Sequence, residues 1–399
     1  MPFKAPHMSP QEKTFGHDVV ILGGGPAGTA AALSLRRHAP SLSIALVEQS
    51  SYDAPRVGET LPPTVQTVLE QLGVWERFLV EGHVPAYGTC SAWGSDELYE
   101  NEFIYHPAGR GWHLDRKRFD RMLAREAADR GVTTYSGHKF DNSLSNKRGG
   151  WLLGLKREQG SELLVEASFV IDATGRRAAF AAQRGVRKVL LDRLLGVSVT
   201  FDACVAGPFG HTYTLVEACE EGWWYSALLP EDRVVVFCMS DADIVKRRDL
   251  KSTDAWLSLL NQTRHTKEHV RGATPLNVPS VHPAHTHRLE SMTGYTWLAV
   301  GDAATTFDPL SSQGILKSLR SGVLASYAVA DYFKGITTGL EKYEGLTTRE
   351  FKDYLAARTD FYRQERRWED SPFWRRRHGD DTRALQNFLA EDFVRPVAV

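Results

Sequence analysis

Long apolar runs are missing from this 399-residue chain: none approaches the roughly 20 residues a helix needs to cross a bilayer. The opening MPFKAPHMSPQEKTFGHD also lacks the apolar core of a secretory leader. Cysteine is scarce and scattered. Cys90, Cys204, Cys219 and Cys238 form no C-x-x-C pair, which argues against a disulfide framework and reads as reduced thiols in the cytoplasm. Charge of either sign is not in excess: 48 Lys and Arg face 49 Asp and Glu, so nothing points to nucleic acid as a partner. Internal repeats and low-complexity tracts are absent too. HPAHTH (His282, His285, His287) fits no standard zinc spacing and no cysteine is near, so no metal is expected. What is left is a soluble, cytoplasmic protein with no membrane partner, 42% hydrophobic and long enough for two domains.

After a polar, Pro-containing arm of about 16 residues, DVVIL, a glycine loop, AGTAAALSLRRH and SIALVEQ read as strand, loop, helix and strand. TVQTVLEQLGVWERF predicts one helix with Val68, Leu72 and Trp75 on a shared face, and RKRFDRMLAREAADRG another that stops at Gly131. SFVIDATG reads as a buried strand running into a small-residue turn. Between about 194 and 240, short β-rich runs separated by turn residues predict an antiparallel meander. YTWLAVGD returns to buried-strand texture. A helix from Gly314 carries Leu316, Leu319, Val323 and Tyr327 on one side, and a charged helical tail follows. The expectation is an α/β protein in which residues 17–88, 109–188 and 285–338 form a discontinuous nucleotide-binding domain. Residues 89–108 and 189–284 form an inserted, mainly antiparallel β-sheet substrate domain, and 339–399 a C-terminal helical region.

Gly23-x-Gly25-x-x-Gly28 stands directly after a strand and opens a helix. Gly23 permits the tight turn, Gly25 lets a pyrophosphate approach the backbone, and Gly28 lets helix and strand pack closely. Glu48 ends the next strand, placed to accept hydrogen bonds from an adenosine ribose. This motif serves NAD and FAD alike. The far end of the chain bears on the choice: in GDAATTFDPLSSQGILKSL, Asp302 can accept hydrogen bonds from a polyol such as the ribityl chain of FAD. The helix that follows offers free N–H groups and its positive end to the electron-rich edge of a reduced flavin. The plainer alternative is that Asp302 caps a turn and Ser311 and Ser312 cap the helix.

GGGPAG with its Glu, HLDRKRFDRML, DATG and GDAA…DPLSSQGI, in that order over residues 17 to 335, resemble the FAD-dependent aromatic hydroxylases and flavin halogenases. The resemblance implies a glutathione-reductase-type FAD domain carrying a β-sheet substrate domain. It implies that Arg116 contacts the FAD pyrophosphate region and that Asp302 binds the ribityl or pyrophosphate portion. Gln313, Gly314 and Ile315 would lie along the isoalloxazine ring, with Arg56 and Glu59 in the loop over it. GHVPAYGTCSAWGSDEL, GWHLDR and the SPFWRRR tail are most similar to the flavoprotein monooxygenases that mature tryptophylquinone amine oxidases and dehydrogenases.

Two departures argue against halogenation. Halogenases place a lysine between flavin and substrate, yet EGHVPAYGTCSAWG has none, and no lysine occurs between Lys13 and Lys117. Where they carry W-x-W-x-I-P, this chain has Tyr225-Ser226-Ala227-Leu228-Leu229-Pro230. The expectation is therefore hydroxylation of an electron-rich aromatic ring through a flavin C4a-(hydro)peroxide, with a protein-bound tryptophan of an amine oxidase precursor as the substrate the resemblance implies. NAD(P)H or a partner flavin reductase would supply electrons. Glu59 and His83 are the acid–base candidates, each also readable as a satisfied structural residue. In GWWYSALLP, alternation puts Trp223, Tyr225 and Ala227 on one face, and one face of this strand should roof the active site. The aromatic-basic tail reads either as a solvated helix with cation–π pairs or as a docking surface for an acidic partner. A double-bond reductase of isoprenoids and a non-catalytic FAD-bound chaperone are the readings from other classes.

Overall fold

The computed structural model describes residues 15–54, 56–157, 160–202 and 212–380. Most of the expected N-terminal arm, Cys204 and the far end of the C-terminal tail lie outside the described residues. In chain order the elements that build the site are β1 (Phe15–Leu22), α1 (Pro26–His38), β2 (Ile44–Glu48), β3 (Gly88–Ala92) and β4 (Tyr99–Glu102). Then come α2 (Arg116–Asp129), β5 (Thr133–Ser136), β6 (Glu162–Asp172), β7 (Leu194–Asp202), β8 (Tyr213–Cys219), β9 (Gly222–Leu229) and β10 (Arg233–Asp241). The last are β11 (Ser280–Pro283), β12 (Trp297–Ala299), α3 (Gly314–Phe333) and α4 (Thr338–Arg363).

Apolar residues on both faces make β1 a central strand. Val19 and Ile21 join a core with α1 and α3, while Val20 and Leu22 join a second core on the opposite face. The strands lie in the order β12, β6, β1, β2, β5, all parallel. α1 and α3 cross closely because a Cβ on Gly322 would meet the Ala27 carbonyl oxygen at 2.3 Å, so only glycine fits there. Ser34 and Ser326 hydrogen-bond across the same contact at 2.6 Å.

The second sheet runs β11, β7, β10, β9, β8, β3, β4. Its central part is antiparallel as expected, but β8 pairs with β3 in parallel, Tyr213 opposite Gly88 through Glu217 opposite Ala92. β3 enters the sheet from a chain excursion between β2 and α2, part-way through the nucleotide-binding half, not through a hairpin from β8. Alternation along β9 sorts the aromatics. Trp223, Tyr225 and Ala227 pack with Phe237, Met239, Tyr362 and Trp374, whereas Trp224 packs with Val197, Val199 and Trp256.

Three expectations need correction. The single helix over residues 64–78 is two, Val65–Leu72 and Trp75–Leu79, because Gly73 adopts φ +69° and ends the first with a left-handed cap. Tyr327 does not share the buried seam of α3; it is exposed and packs its ring 4.5 Å from His38. The aromatic-basic segment forms the expected cation–π pairs, Arg367 over Trp368 and Arg377 over Phe373, but over residues 373–377 it is largely packed into the fold and not a solvated helix. Phe373 and Trp374 are fully buried, and Arg377 pairs with Asp241 at 2.9 Å, both 1% exposed. Arg376 adds bonds to Asp241 and Asp243 at 2.7 Å each. Among the described residues no helix is long and apolar enough to cross a membrane.

Candidate active site

One cleft of about 490 Å³ runs from the glycine loop, past the N-terminus of α3, to the face of the second sheet. At its first end β1 stops and the chain turns sharply at Gly23, whose φ of +114° and approach to the Ala173 carbonyl suit only glycine. A Cβ on Gly25 would meet nothing within 4 Å, which leaves the backbone open to a bulky diphosphate. Gly28 does not line the cleft. It lies in the first turn of α1, where a Cβ would meet the Gly23 carbonyl oxygen at 1.9 Å, so the helix packs closely on the loop there.

Glu48 lines the same end. Its carboxylate accepts the Gly24 N–H at 2.7 Å and the Ser50 hydroxyl at 2.6 Å. Arg56 pairs with Glu48 and with Asp120 of α2, both at 2.9 Å. This places Arg56, expected in the loop over the flavin ring, beside Glu48 at the glycine-loop end of the cleft, where two carboxylates hold it. Arg116, at the first turn of α2, lines the cleft between the two ends. It donates to the Val57 and Gly58 carbonyls at 2.5 and 3.1 Å and pairs with Asp120 at 3.1 Å. The DATG turn is organised by Asp172, whose buried carboxylate accepts the amides of Thr174, Phe180 and Ala181 at 2.9–3.0 Å. That turn delivers Arg176 and Arg177 to the cleft, two cationic residues that sequence reasoning missed although they directly follow the motif.

Asp302 follows β12 and keeps about a third of its side chain (35%) open. Burial works against its ionisation, but Lys317, 2.8 Å away, and Arg176, 3.8 Å away, hold its carboxyl below the usual range. Lys317, on the first turns of α3, is itself 1% exposed and also donates to the Thr305 carbonyl at 2.5 Å. The loop then passes Asp308, and Ser312 adopts a left-handed φ of +51° before the helix begins. Among the described residues no side chain caps α3, so its first-turn N–H groups remain available. Ser311 accepts the Gln313 N–H at 3.3 Å and stays clear of the helix N–H groups, so the plain capping alternative does not hold. Gly314 and Ile315 line the cleft; Gln313, the residue before the helix, is exposed and does not.

Opposite α3, the sheet contributes Gly196, Tyr225, Phe237, Met239 and His282. Glu59 is buried at this end, where desolvation raises its carboxyl to about 7 despite Arg116 and the amides of Gly58 and Glu59. His83 is not at the site. It packs against Phe78 at 4.9 Å and Phe119 at 6.1 Å, accepts the Asp115 N–H at 3.3 Å, and burial lowers it to about 4. A loop position in the sequence concealed a core histidine. Asp308 was also missed as a participant. Almost fully buried on the cleft wall, it accepts from Tyr362 at 2.9 Å and from Arg358 at 3.2 Å, and Arg358 continues to Asp192 at 3.0 Å.

The open backbone at Gly25, the uncapped α3 and an acid between them fit FAD from pyrophosphate to ring. Residues 16–345 match the family described as FAD binding domain. The protein described as "Putative FAD-dependent oxidoreductase LodB" of Marinomonas mediterranea is 30% identical over 366 residues, covering 91% of this chain and 97% of its own. A 1H-pyrrole-2-carbonyl-[peptidyl-carrier protein] brominase of Pseudoalteromonas luteoviolacea is 24% identical over 80% of this chain and 78% of its own. Among solved structures, the myxobacterial chondrochloren halogenase CndH superposes with a TM-score of 0.83 at 22% identity, covering 94% of this chain and 89% of its own. QhpG, a peptidyl tryptophan dihydroxylase essential for tryptophylquinone cofactor biogenesis, superposes at 0.68 with 24% identity over 91% of this chain and 79% of its own. Fold, cleft and these likenesses agree: the chain belongs to the FAD-binding domain family, within the superfamily of FAD-dependent aromatic hydroxylases and flavin halogenases, and is an FAD-dependent oxidoreductase.

Proposed function

We propose that the protein is a monooxygenase that hydroxylates an electron-rich aromatic ring, the tryptophan side chain of an amine oxidase or dehydrogenase precursor. The observation that carries this reading is the wall facing α3. Tyr225, Phe237 and Met239 offer an aromatic, apolar surface for a ring, and the lysine lining the cleft, Lys139, lies beside β2 at the nucleotide end. Lys317 is turned away and ion-paired behind Asp302. No ammonium is thus placed, among the described residues, where a halogenating enzyme would need one between the flavin and that wall. The named activity of QhpG supports the choice of a protein-bound tryptophan.

When bound, FAD supplies the activation of O₂. The chain's own contribution is to bind and orient. Gly25 and Arg116 would hold the diphosphate and Asp302 the polyol, and the N-terminus of α3 would favour negative charge on the ring edge. The sheet wall excludes water and sets the substrate ring. Glu59, raised to about 7, is suited to accept a proton from the substrate near neutral pH. Electrons come from NAD(P)H or from a partner flavin reductase. The test is incubation of the FAD-loaded protein with an unmodified precursor, reductant and bromide, followed by peptide mass spectrometry. Addition of oxygen to one tryptophan is the expected result; bromination, or turnover of free aromatics alone, sinks the proposal.

A further inference from the structure

Behind Tyr225 lies a file of hydrogen-bonding side chains that the chemistry above does not use. The phenol oxygen is 2.6 Å from Thr60 Oγ1, which is 3.4 Å from Thr214 Oγ1, which in turn is 3.0 Å from His113 Nε2. Three different parts of the fold supply it: the strand Thr60–Leu61, β8 and the strand Gly111–His113. Thr214 and His113 are at most 1% exposed, so no solvent competes for their bonds.

The far end of the file fixes its direction. Burial holds His113 down to about 4, so the imidazole is neutral and carries a single N–H. Its Nδ1 has no partner among the described residues. A bare lone pair there is tolerated better than a buried, unmatched N–H, so the hydrogen sits on Nε2 and is donated to Thr214. Each hydroxyl has one hydrogen to give. Thr214 therefore donates to Thr60, and Thr60 donates to the phenol oxygen of Tyr225. The phenol's own hydrogen is left over, and Tyr225 lines the cleft.

We infer that Tyr225 is a dedicated hydrogen-bond donor to an oxygen atom of the bound aromatic ligand, a carbonyl or ring hydroxyl, with His113, Thr214 and Thr60 as the positioning residues that set this polarity. The inference rests on the reading that the cleft accepts an aromatic ring. Donation to a ring-bound oxygen would align a partly oxygenated ring against Phe237 and Met239, so Tyr225 selects for ligands that carry an acceptor at that point.

Indole and oxindole, which differ by one carbonyl oxygen, provide the test. Each is titrated into the FAD-loaded full chain while the visible flavin spectrum is followed. The expected preference for oxindole is about tenfold in the unmodified protein, and it vanishes in Tyr225→Phe with FAD content unchanged. His113→Gln, which keeps an N–H donor, retains the preference; His113→Leu, which frees the file to reverse, lowers it to within about threefold. A preference that is absent from the unmodified protein, survives in Tyr225→Phe, or is equal in the two His113 variants overturns the inference. If the preference behaves as expected but no precursor tryptophan gains oxygen, the donor role stands and the protein substrate falls.

Discussion

Glu59 and Asp302 carry the sharpest expectations at the scale of single residues. Glu59 has a folded-state pKa of about 7, above its ordinary carboxyl value of 4.5, so the folded protein binds the extra proton. Stability linked to this group is full below about pH 4.5 and is lost as pH rises to 7. Glu59→Gln should therefore raise the stability of the FAD-free protein at pH 8 by about 3 kcal/mol, measured by urea unfolding, while leaving it nearly unchanged at pH 4.5. The same variant should lose the rise in oxygen-transfer rate across neutral pH. Equal stability gains at both pH values would place the group elsewhere. For Asp302, removal strands the buried Lys317, so Asp302→Ala should cost about 2 kcal/mol as well as FAD. Asp302→Ala with Lys317→Met should restore the thermal midpoint but not the yellow colour; recovery of both would deny Asp302 a place at the cofactor.

The glycine loop shows how much of an element can be read before the fold is known. Gly23, Gly25 and Gly28 hold the places that strand–loop–helix spacing assigns them, because their constraint is local backbone geometry. Two substitutions separate their roles. Gly28→Ala collides with the Gly23 carbonyl and should prevent soluble expression, whereas Gly25→Ala meets only open space and should fold normally with FAD binding weakened at least about tenfold. Fluorescence titration of FAD against the purified Gly25 variant checks this; undiminished affinity contradicts a diphosphate at that turn. Local pattern also separated the two faces of β9. It failed where the deciding contact comes from elsewhere in the chain. His83 reads as a loop residue and becomes core because Phe78 and, from α2, Phe119 close over it. Tyr225 shows its roofing role in the alternation, but its file to His113 joins residues 112 positions apart and leaves no periodic trace.

Across the whole molecule, the C-terminal region braces the active-site loop. α4 sends Arg358 between Asp192 and Asp308, and Tyr362 reaches both Asp308 and the Trp223 indole at 3.0 Å. The aromatic-basic segment that follows closes over the sheet through Arg377 and Asp241. Sequence could not disclose this, since an arginine-rich helix looks solvated until its carboxylate partners, about 50 and 166 residues away, are brought against it. Arg358→Leu leaves two buried carboxylates unpaired and should cost about 3–5 kcal/mol, read as a lower thermal midpoint; a shift below 1 °C would show the brace to be idle. The central claim concerns what the assembled cleft does, and isotopic oxygen tests it most directly. Reduced, FAD-loaded protein mixed with a tryptophan-bearing precursor under ¹⁸O₂ should place ¹⁸O on the indole ring; unlabelled tryptophan, or label arriving only from H₂¹⁸O, would contradict the account.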